Sequence, residues 1–116
     1  MRDSSISKFF EKTLKERLGL IADFSGLSQD ELKIIEDATG GISFDKADGM
    51  IENAIGTFSL PLGIATNFQI NDKDYLIPMV IEEPSVIAAS SKAAKIARVQ
   101  GGFKAEADES LSLIHI

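Results

Sequence analysis

The segment that most constrains the fold is a short stretch that is apolar on both of its faces. Asp74 to Ile81 is rich in branched and apolar residues, which favours a β-strand. Because successive side chains of a strand point to opposite faces, one face carries Leu76, Pro78 and Val80, and the other carries Ile77, Met79 and Ile81. A strand buried on both faces needs packed cover on each side. We therefore expect it to belong to a larger body than two helices and a hairpin can provide.

A second stretch rich in branched residues, Phe58 to Ile70, lies before this strand. The two stretches are separated by Asn71-Asp72-Lys73, and this arrangement predicts a β-hairpin with a tight turn. Pro61 and Gly63 indicate an irregular start to the first strand.

The first half of the chain has a helical period instead. Apolar residues recur there at spacings of three and four, which predicts one face of a single helix. These residues are Ile6, Phe9, Phe10, Leu14, Leu18 and Ile21. Gly26 breaks the pattern, and Ser28 with Glu31 forms a capping box that places the start of a second helix at Gln29.

The second helix is expected to end at Gly40-Gly41, and a short helical turn is expected over Asp45 to Met50. Its apolar face is formed by Leu32, Ile35 and Ala38. The N-terminal half is therefore predicted to be helical.

An alanine-rich helix is predicted after the hairpin. Pro84 at its first turn, abundant alanine and Gly101-Gly102 at its end all indicate this element. Its small residues are equally consistent with close backbone packing and with simple helix propensity. The predicted fold class is α+β, with N-terminal helices, a β-hairpin and the alanine-rich helix.

The composition excludes several classes of function. With 44% hydrophobic and 26% charged residues the chain is globular rather than disordered. The net charge is −6 and no run of Lys or Arg could follow a phosphate backbone, so we expect no nucleic-acid partner. The sequence has no cysteine, no bilayer-length apolar run and no signal-peptide core. We therefore expect a cytoplasmic protein without a membrane partner.

Two adjacent acids, Glu82 and Glu83, follow the doubly apolar strand and precede the alanine-rich helix. Strand alternation would turn them to opposite faces, so that only one could face a given site. Glu83 would share the face of Ile77 and Met79, where burial favours the protonated acid, while the helix N-terminus favours the carboxylate. Opposed effects of this kind tune an acid for proton donation. The residues alone favour the simpler interpretation, in which either glutamate merely caps the helix.

Other polar residues have simpler explanations. Ser85 could cap the alanine-rich helix or bind a ligand, and the sequence alone favours the cap. Glu52 and Asn53 lie between apolar residues, either as satisfied buried groups or as part of a solvated loop. Lys92 and Lys95 are expected to face solvent.

No metal or nucleotide site is predicted from the residues themselves. The sequence contains neither GxGxxG nor GxxxxGK[ST], so no nucleotide-phosphate loop is indicated. Four aspartates lack the spacing of metal ligands and are better explained as turn residues. They are Asp45, Asp48, Asp72 and Asp74.

Several blocks, in order, resemble the class II (bacterial and archaeal type) 3-hydroxy-3-methylglutaryl-coenzyme A reductases. They read GLSQDEL, GMIENAIGTFSLPLGIATNFQIN, YLIPMVIEEPSVIAASSK and GGFKAEADE, and the resemblance covers roughly Leu14 to Glu109. Linked blocks at family spacing are more specific than any single motif. The chain departs from the family at Phe10, where some relatives carry a basic residue that meets the phosphates of coenzyme A (CoA), and at Asp72, where the turn often has glycine.

The resemblance implies an enzyme that interconverts 3-hydroxy-3-methylglutaryl-CoA (HMG-CoA) and mevalonate plus CoA. Such enzymes use two molecules of NADPH or NADH and no metal, and they act as homodimers or as higher oligomers of dimers. The resemblance places the catalytic glutamate on Glu83, which would give a proton to the carbonyl that becomes an alcohol. It places Ser85 at the glutaryl end of the substrate. It also implies a dimer interface at Glu52, Asn53, Ala54, Ile55 and Gly56.

The lysine, aspartate and histidine that complete this site in the family come from later in its sequence, as does the nucleotide-binding domain. We therefore expect residues 1–109 to be an incomplete, N-terminal part of the large substrate-binding and dimerisation domain, inactive alone. Leu111 to Ile116 reads LSLIHI, which is the translation of a transposase-end sequencing adapter, so residues 110–116 are expected to be a non-native tail. The alternatives are a genuine strand-like C-terminus and, for the whole chain, a small stand-alone α+β binding domain without catalysis.

Overall fold

The structure, a computed structural model, describes residues 2–37 and 41–107 and confirms an α+β fold within them. In chain order its elements are a 3₁₀ turn Phe9–Glu11, α1 Leu14–Ser25, α2 Gln29–Glu36, α3 Phe44–Asp48, β1 Leu62–Ile70, β2 Lys73–Val80 and α4 Val86–Arg98. The strands form an antiparallel hairpin, and α4 packs on β1. The predicted tail, 110–116, and the predicted helix positions Ala38 and Gly40 lie outside the described residues.

The start of α1 is set by a capping box, which the spacing of apolar residues from Ile6 onward did not reveal. The Thr13 side chain accepts the Glu16 N–H at 3.3 Å, and the Glu16 carboxylate accepts the Thr13 N–H at 2.8 Å. The prediction of one continuous helix from Ile6 is wrong, because the residues before Thr13 are irregular or 3₁₀ and Phe10 is 82% exposed. The predicted end is confirmed, since Gly26 closes α1 with a φ of 76°.

The second capping box acts as predicted. The Ser28 side chain accepts the Glu31 N–H, the Glu31 carboxylate accepts the Ser28 N–H at 2.7 Å, and α2 follows directly. The helix ends at Glu36, before the expected Gly40-Gly41, and Leu32 is its buried residue. The short helical turn expected next is confirmed as α3.

The predicted hairpin is confirmed with shifted ends. β1 begins at Leu62 rather than Phe58, and β2 ends at Val80. The turn consists of Asn71 and Asp72, whose φ values of 50° and 64° are both positive. Two consecutive left-handed residues are typical of a type I′ turn, whose twist matches that of the flanking strands.

A β-bulge interrupts β1 in its middle. Ala65 pairs with Ile77 and Phe68 pairs with Tyr75, so one extra residue lies on the β1 side. Asn67, inside the bulge, has a φ of 68°. The bulge turns backbone groups away from β2, and they bond instead to α4 and to the N-terminal segment.

The outer edge of β1 is partly covered by the residues after α4. Phe103 donates its N–H to the Gln69 carbonyl at 2.8 Å and accepts the Asn71 N–H at 2.9 Å, and its ring stacks on Phe68 with centroids 5.6 Å apart. Gly102 makes this approach possible, because it has a φ of 76° and a Cβ there would overlap the Gln69 carbonyl.

The apolar core of the described residues is small. Its buried apolar members are Leu18, Leu32, Ala47, Ala65 and Ala94. The doubly apolar strand is not covered on both faces, since Val80 remains 56% exposed and Pro78 is exposed. This agrees with the expectation that the hairpin belongs to a larger body.

Candidate functional site

An open cleft of about 870 Å³ lies between the N-terminal segment, the start of the hairpin and α4. Its walls come from residues 6–10, from β1 around the bulge, from the turn 81–85 and from the first turns of α4, and Arg17 also reaches it. Both glutamates and Ser85 line it. A smaller cavity of about 300 Å³ shares Ser7, Asn67 and Lys95 with this cleft.

The bulge holds α4 in place as one wall. The Thr66 N–H donates to the Ser91 hydroxyl at 3.0 Å, and the Asn67 side-chain amide donates to the Ser91 carbonyl at 3.1 Å. The Ser91 hydroxyl in turn donates to the Ile87 carbonyl at 2.8 Å. The Thr66 N–H freed by the bulge is thus satisfied by the helix, and these contacts fix the helix relative to the strand.

The two glutamates lie beyond the end of β2, and this corrects the sequence-based prediction. The last strand-like hydrogen bond runs from the Ile81 N–H to the Pro61 carbonyl at 3.3 Å, after which the chain bends. Strand alternation therefore does not apply to Glu82 and Glu83, and both line the cleft. Glu83 is exposed rather than buried beside Ile77. Within the described residues neither carboxylate accepts a hydrogen bond, so capping of α4 by a glutamate is not supported.

Ser85 precedes α4 but does not cap it with its side chain. Its φ of 73° is left-handed, and its hydroxyl makes no capping hydrogen bond, while its carbonyl accepts the Ala89 N–H at 2.8 Å. The prediction of a side-chain cap is therefore wrong. Pro84 also lies in the turn before the helix rather than in its first turn. A non-glycine residue in this conformation carries roughly 1–3 kcal/mol of strain, and such strain is concentrated at functional sites.

The cleft is richer in cations than the chain as a whole. Two acids, Glu82 and Glu83, line it together with four basic residues. The basic residues are Lys8, Arg17, Lys92 and Lys95. Lys92 and Lys95 are exposed, as predicted. The sequence did not reveal that they also line the cleft, because the packing of α4 on the bulge brings them there. Among the described residues, the buried Nε of Arg17 has no hydrogen-bond partner.

The Glu52–Gly56 segment is not part of the cleft. Asn53 has a φ of 57°, Ile55 is fully exposed, and Ala54 is half-buried. The solvated-loop interpretation of Glu52 and Asn53 is consistent with their exposure. Residues 2–37 and 41–107 contain no group of acidic or histidine side chains that could hold a metal, and none of their helices is long and apolar enough to cross a membrane.

A model of the hydroxymethylglutaryl-coenzyme A reductase family matches residues 13–114. The chain belongs to this family. It is 54% identical over 110 residues to the 3-hydroxy-3-methylglutaryl-coenzyme A reductase of Archaeoglobus fulgidus, covering 95% of this chain and 25% of that protein. It is 32% identical over 53 residues to the Xenopus laevis reductase, covering 46% of this chain and 6% of that protein.

The fold is also that of the family. The class II reductase of Streptococcus pneumoniae, bound to NADPH in open conformations, matches with a TM-score of 0.76 and 39% identity, covering 86% of this chain and 27% of that one. The predicted resemblance to class II reductases is therefore confirmed. The chain spans about a quarter of the length of the relatives that match most of it.

Proposed function

We propose that this chain supplies the acid of the active site in a reductase that interconverts HMG-CoA and mevalonate plus CoA. In this proposal it is the N-terminal part of the large substrate-binding domain. The observation that supports it most is the position of Glu83 and Ser85 in a turn that lines the cleft, in a chain of this family. Because the chain spans about a quarter of its relatives' length, the lysine, aspartate and histidine partners come from the rest of the protein.

Glu83 is suited to proton transfer. Its carboxyl is exposed to the cleft and accepts no hydrogen bond within the described residues, so it can take a proton from solvent and give it to a carbonyl oxygen bound nearby. Ser85, held in its left-handed conformation beside Glu83, presents a hydroxyl that can hydrogen-bond the glutaryl end of the substrate. The cationic lining of the cleft attracts an anionic thioester such as HMG-CoA.

The reductant in this proposal is NADPH or NADH, and it supplies the hydride of each reduction. The start of α4 has no glycine-rich turn and carries a left-handed serine, so it is not a dinucleotide-phosphate site of the G-x-G-x-x-G type. The rest of the protein would bind the nucleotide.

A homodimer and a cytoplasmic location also belong to the proposal. The Glu52–Gly56 segment would lie at the dimer interface, and the full exposure of Ile55 supports this, since an isolated isoleucine gains from leaving water. Phe58 and Met50 nearby are 88% and 70% exposed. Several large apolar side chains left exposed in one short segment are typical of interaction surfaces.

The decisive experiment compares two isosteric variants in the complete reductase polypeptide that carries this segment. Glu83→Gln keeps the shape of the side chain and removes its proton. Turnover should fall by roughly 10²–10⁴-fold, the range for loss of a positioned general acid. Steady-state kinetics with HMG-CoA and NADPH measures this directly.

Glu82→Gln is the matched control, because it changes the adjacent acid in the same turn and the same cleft. Its turnover should change far less than that of Glu83→Gln. A larger loss for Glu82→Gln would move the catalytic role to the neighbouring residue. An unvaried enzyme without activity towards HMG-CoA would contradict the proposed function itself.

A further inference from the structure

A polar cluster around the buried Ser4 fastens the N-terminal segment to the hairpin and to α4. We call Asp3, Ser4, Asp74 and Arg98 the Ser4 cluster. Ser4 is completely buried, its N–H donates to Asp74 Oδ2 at 2.7 Å, and its hydroxyl donates to the Phe68 carbonyl at 2.9 Å. Arg98 Nη2 donates to Asp74 Oδ2 at 2.8 Å and to Asp3 Oδ1 at 3.0 Å. The cluster thereby joins three distant parts of the sequence.

The cluster lies at the bulge of β1. The Asn67 N–H, which the bulge directs away from β2, donates to the Ser4 carbonyl at 2.9 Å. The same bulge holds α4 through the Asn67 side chain. One irregularity of the strand therefore fixes two walls of the cleft, the helix and the N-terminal segment.

The wall that follows Ser4 has little else to hold it. Residues 6–10 line the cleft. Within the described part of the chain, residues 5–12 make hydrogen bonds and ion pairs only to positions at most three away. Phe10, at the end of this stretch, is 82% exposed. Ile6 and Phe9 are half-buried, so apolar contacts also hold this wall, and its hydrogen bonds to distant parts of the sequence are those of the Ser4 cluster.

The ion pair inside the cluster is well shielded from water. The side chain of Asp74 is 9% exposed and that of Arg98 is 23% exposed. A charge-assisted hydrogen bond in such surroundings is stronger than one at the surface, and breaking it leaves a buried charge without its partner. By contrast, the ion pair between Asp72 of the hairpin turn and Lys104 after α4 is 77% and 67% exposed and does not contact the N-terminal segment.

We propose that Asp74 and Arg98 are positioning residues, which hold the N-terminal wall of the cleft and so set the affinity for the substrate without touching the reacting atoms. This inference rests on the proposed function. In this inference the wall would contact bound substrate to the same extent before and during the reaction, so loosening it would remove uniform binding, which raises KM and leaves kcat nearly unchanged.

The test uses Asp74→Asn in the complete reductase polypeptide, with Asp72→Asn as the control. The control makes the same chemical change two positions away in an exposed ion pair. For Asp74→Asn we expect KM for HMG-CoA to rise roughly tenfold, with kcat within about twofold of the unvaried enzyme. For Asp72→Asn we expect both constants to stay unchanged.

A second variant, Arg98→Lys, covers the case in which Asp74→Asn does not fold. A lysine ammonium keeps the charge that Nη2 presents to Asp3 and Asp74, but it has no second nitrogen to reach the Ser4 hydroxyl as Nη1 does at 3.4 Å, so KM should rise by a smaller factor. A merely structural role would lower kcat in proportion to the folded fraction and leave KM alone, and that result overturns the inference. An inactive unvaried enzyme would overturn the proposed function, and this inference with it; an active enzyme with unchanged KM in both variants would overturn this inference only.

Discussion

The N-terminal segment, the hairpin and α4, which surround the cleft and are together called the cleft region, are held together differently from residues 41–60. In the cleft region, hydrogen bonds join positions far apart in sequence, such as Ser4 to Asp74 and Asn71 to Phe103. In residues 41–60, the hydrogen bonds within the described part of the chain join positions at most four apart. The first region is fixed by tertiary contacts, whereas the second is shaped mainly by its own local turns.

The apolar side chains of the two regions differ in degree. The cleft region buries Ala65 and Ala94 completely but leaves Phe10 82% exposed, while residues 41–60 bury Ala47 and leave Ile55 completely exposed and Phe58 88% exposed. Completely buried small residues are typical of a close-packed contact between two elements. Large exposed apolar residues characterise a surface that another chain or domain covers. The two regions thus correspond to the two proposed roles, a cleft for substrate and an interface between subunits.

The largest effect expected from this contrast concerns assembly. In the complete reductase polypeptide, Ile55→Asn should weaken the dimer by roughly 10- to 100-fold, because a buried isoleucine contributes roughly 1.5–3 kcal/mol. Analytical ultracentrifugation across a dilution series measures the dissociation constant.

Ile96→Asn is the matched control for that experiment. Ile96 is 65% exposed on α4, in the cleft region, and the same substitution there should leave the dimer intact. If Ile96→Asn dissociates the dimer and Ile55→Asn does not, the assignment of the interface to residues 41–60 is wrong and the outer face of α4 takes that role.

A second contrast compares one glycine from each region. Gly102→Ala should lower the free energy of unfolding by at least about 2 kcal/mol, because the new Cβ meets the Gln69 carbonyl and the backbone is left-handed. Gly56→Ala should change it by less than about 0.5 kcal/mol, since nothing lies within 4 Å of a Cβ there. Urea unfolding of the 116-residue chain followed by circular dichroism gives both values. Equal changes in the free energy of unfolding would mean that the surroundings of Gly56 are as tightly packed as those of Gly102, which would contradict the contrast between the two regions.

Local signals explain which parts of the fold could be predicted from the sequence. The Ser28 capping box and the two-residue turn at Asn71 act over a few residues, so the sequence reveals them. The same kind of signal at Thr13 was present but hidden by the apolar spacing that begins at Ile6. The site was harder to predict, because the bulge at Asn67 is held by contacts between elements rather than by neighbours in sequence.

Acids with a lowered pKa occur in the cleft region and in the N-terminal helices, and their surroundings differ. Burial of the Asp74 carboxyl opposes its ionisation, but hydrogen bonds from Arg98 and from the Ser4 N–H outweigh burial, and the pKa of Asp74 lies below its ordinary value. The N–H and then the hydroxyl of Ser28 lower the pKa of Glu31, whose side chain is exposed. The stability of the two regions can therefore also be compared at acidic pH.

An acid whose folded pKa lies below its unfolded value adds stability that is complete above the unfolded pKa, about 3.9 for Asp, and that is lost as the pH falls through the folded pKa. Asp74→Asn should therefore destabilise the chain more at about pH 6 than at about pH 3 in urea unfolding. Glu31→Gln should show almost no such difference, because glutamine can take the same place in a capping box and an exposed charge is well screened. If Asp74→Asn lowered the free energy of unfolding equally at both pH values, the charge of the Asp74 carboxylate would not contribute to stability. The Ser4 cluster would then stabilise the cleft region only through packing and uncharged hydrogen bonds.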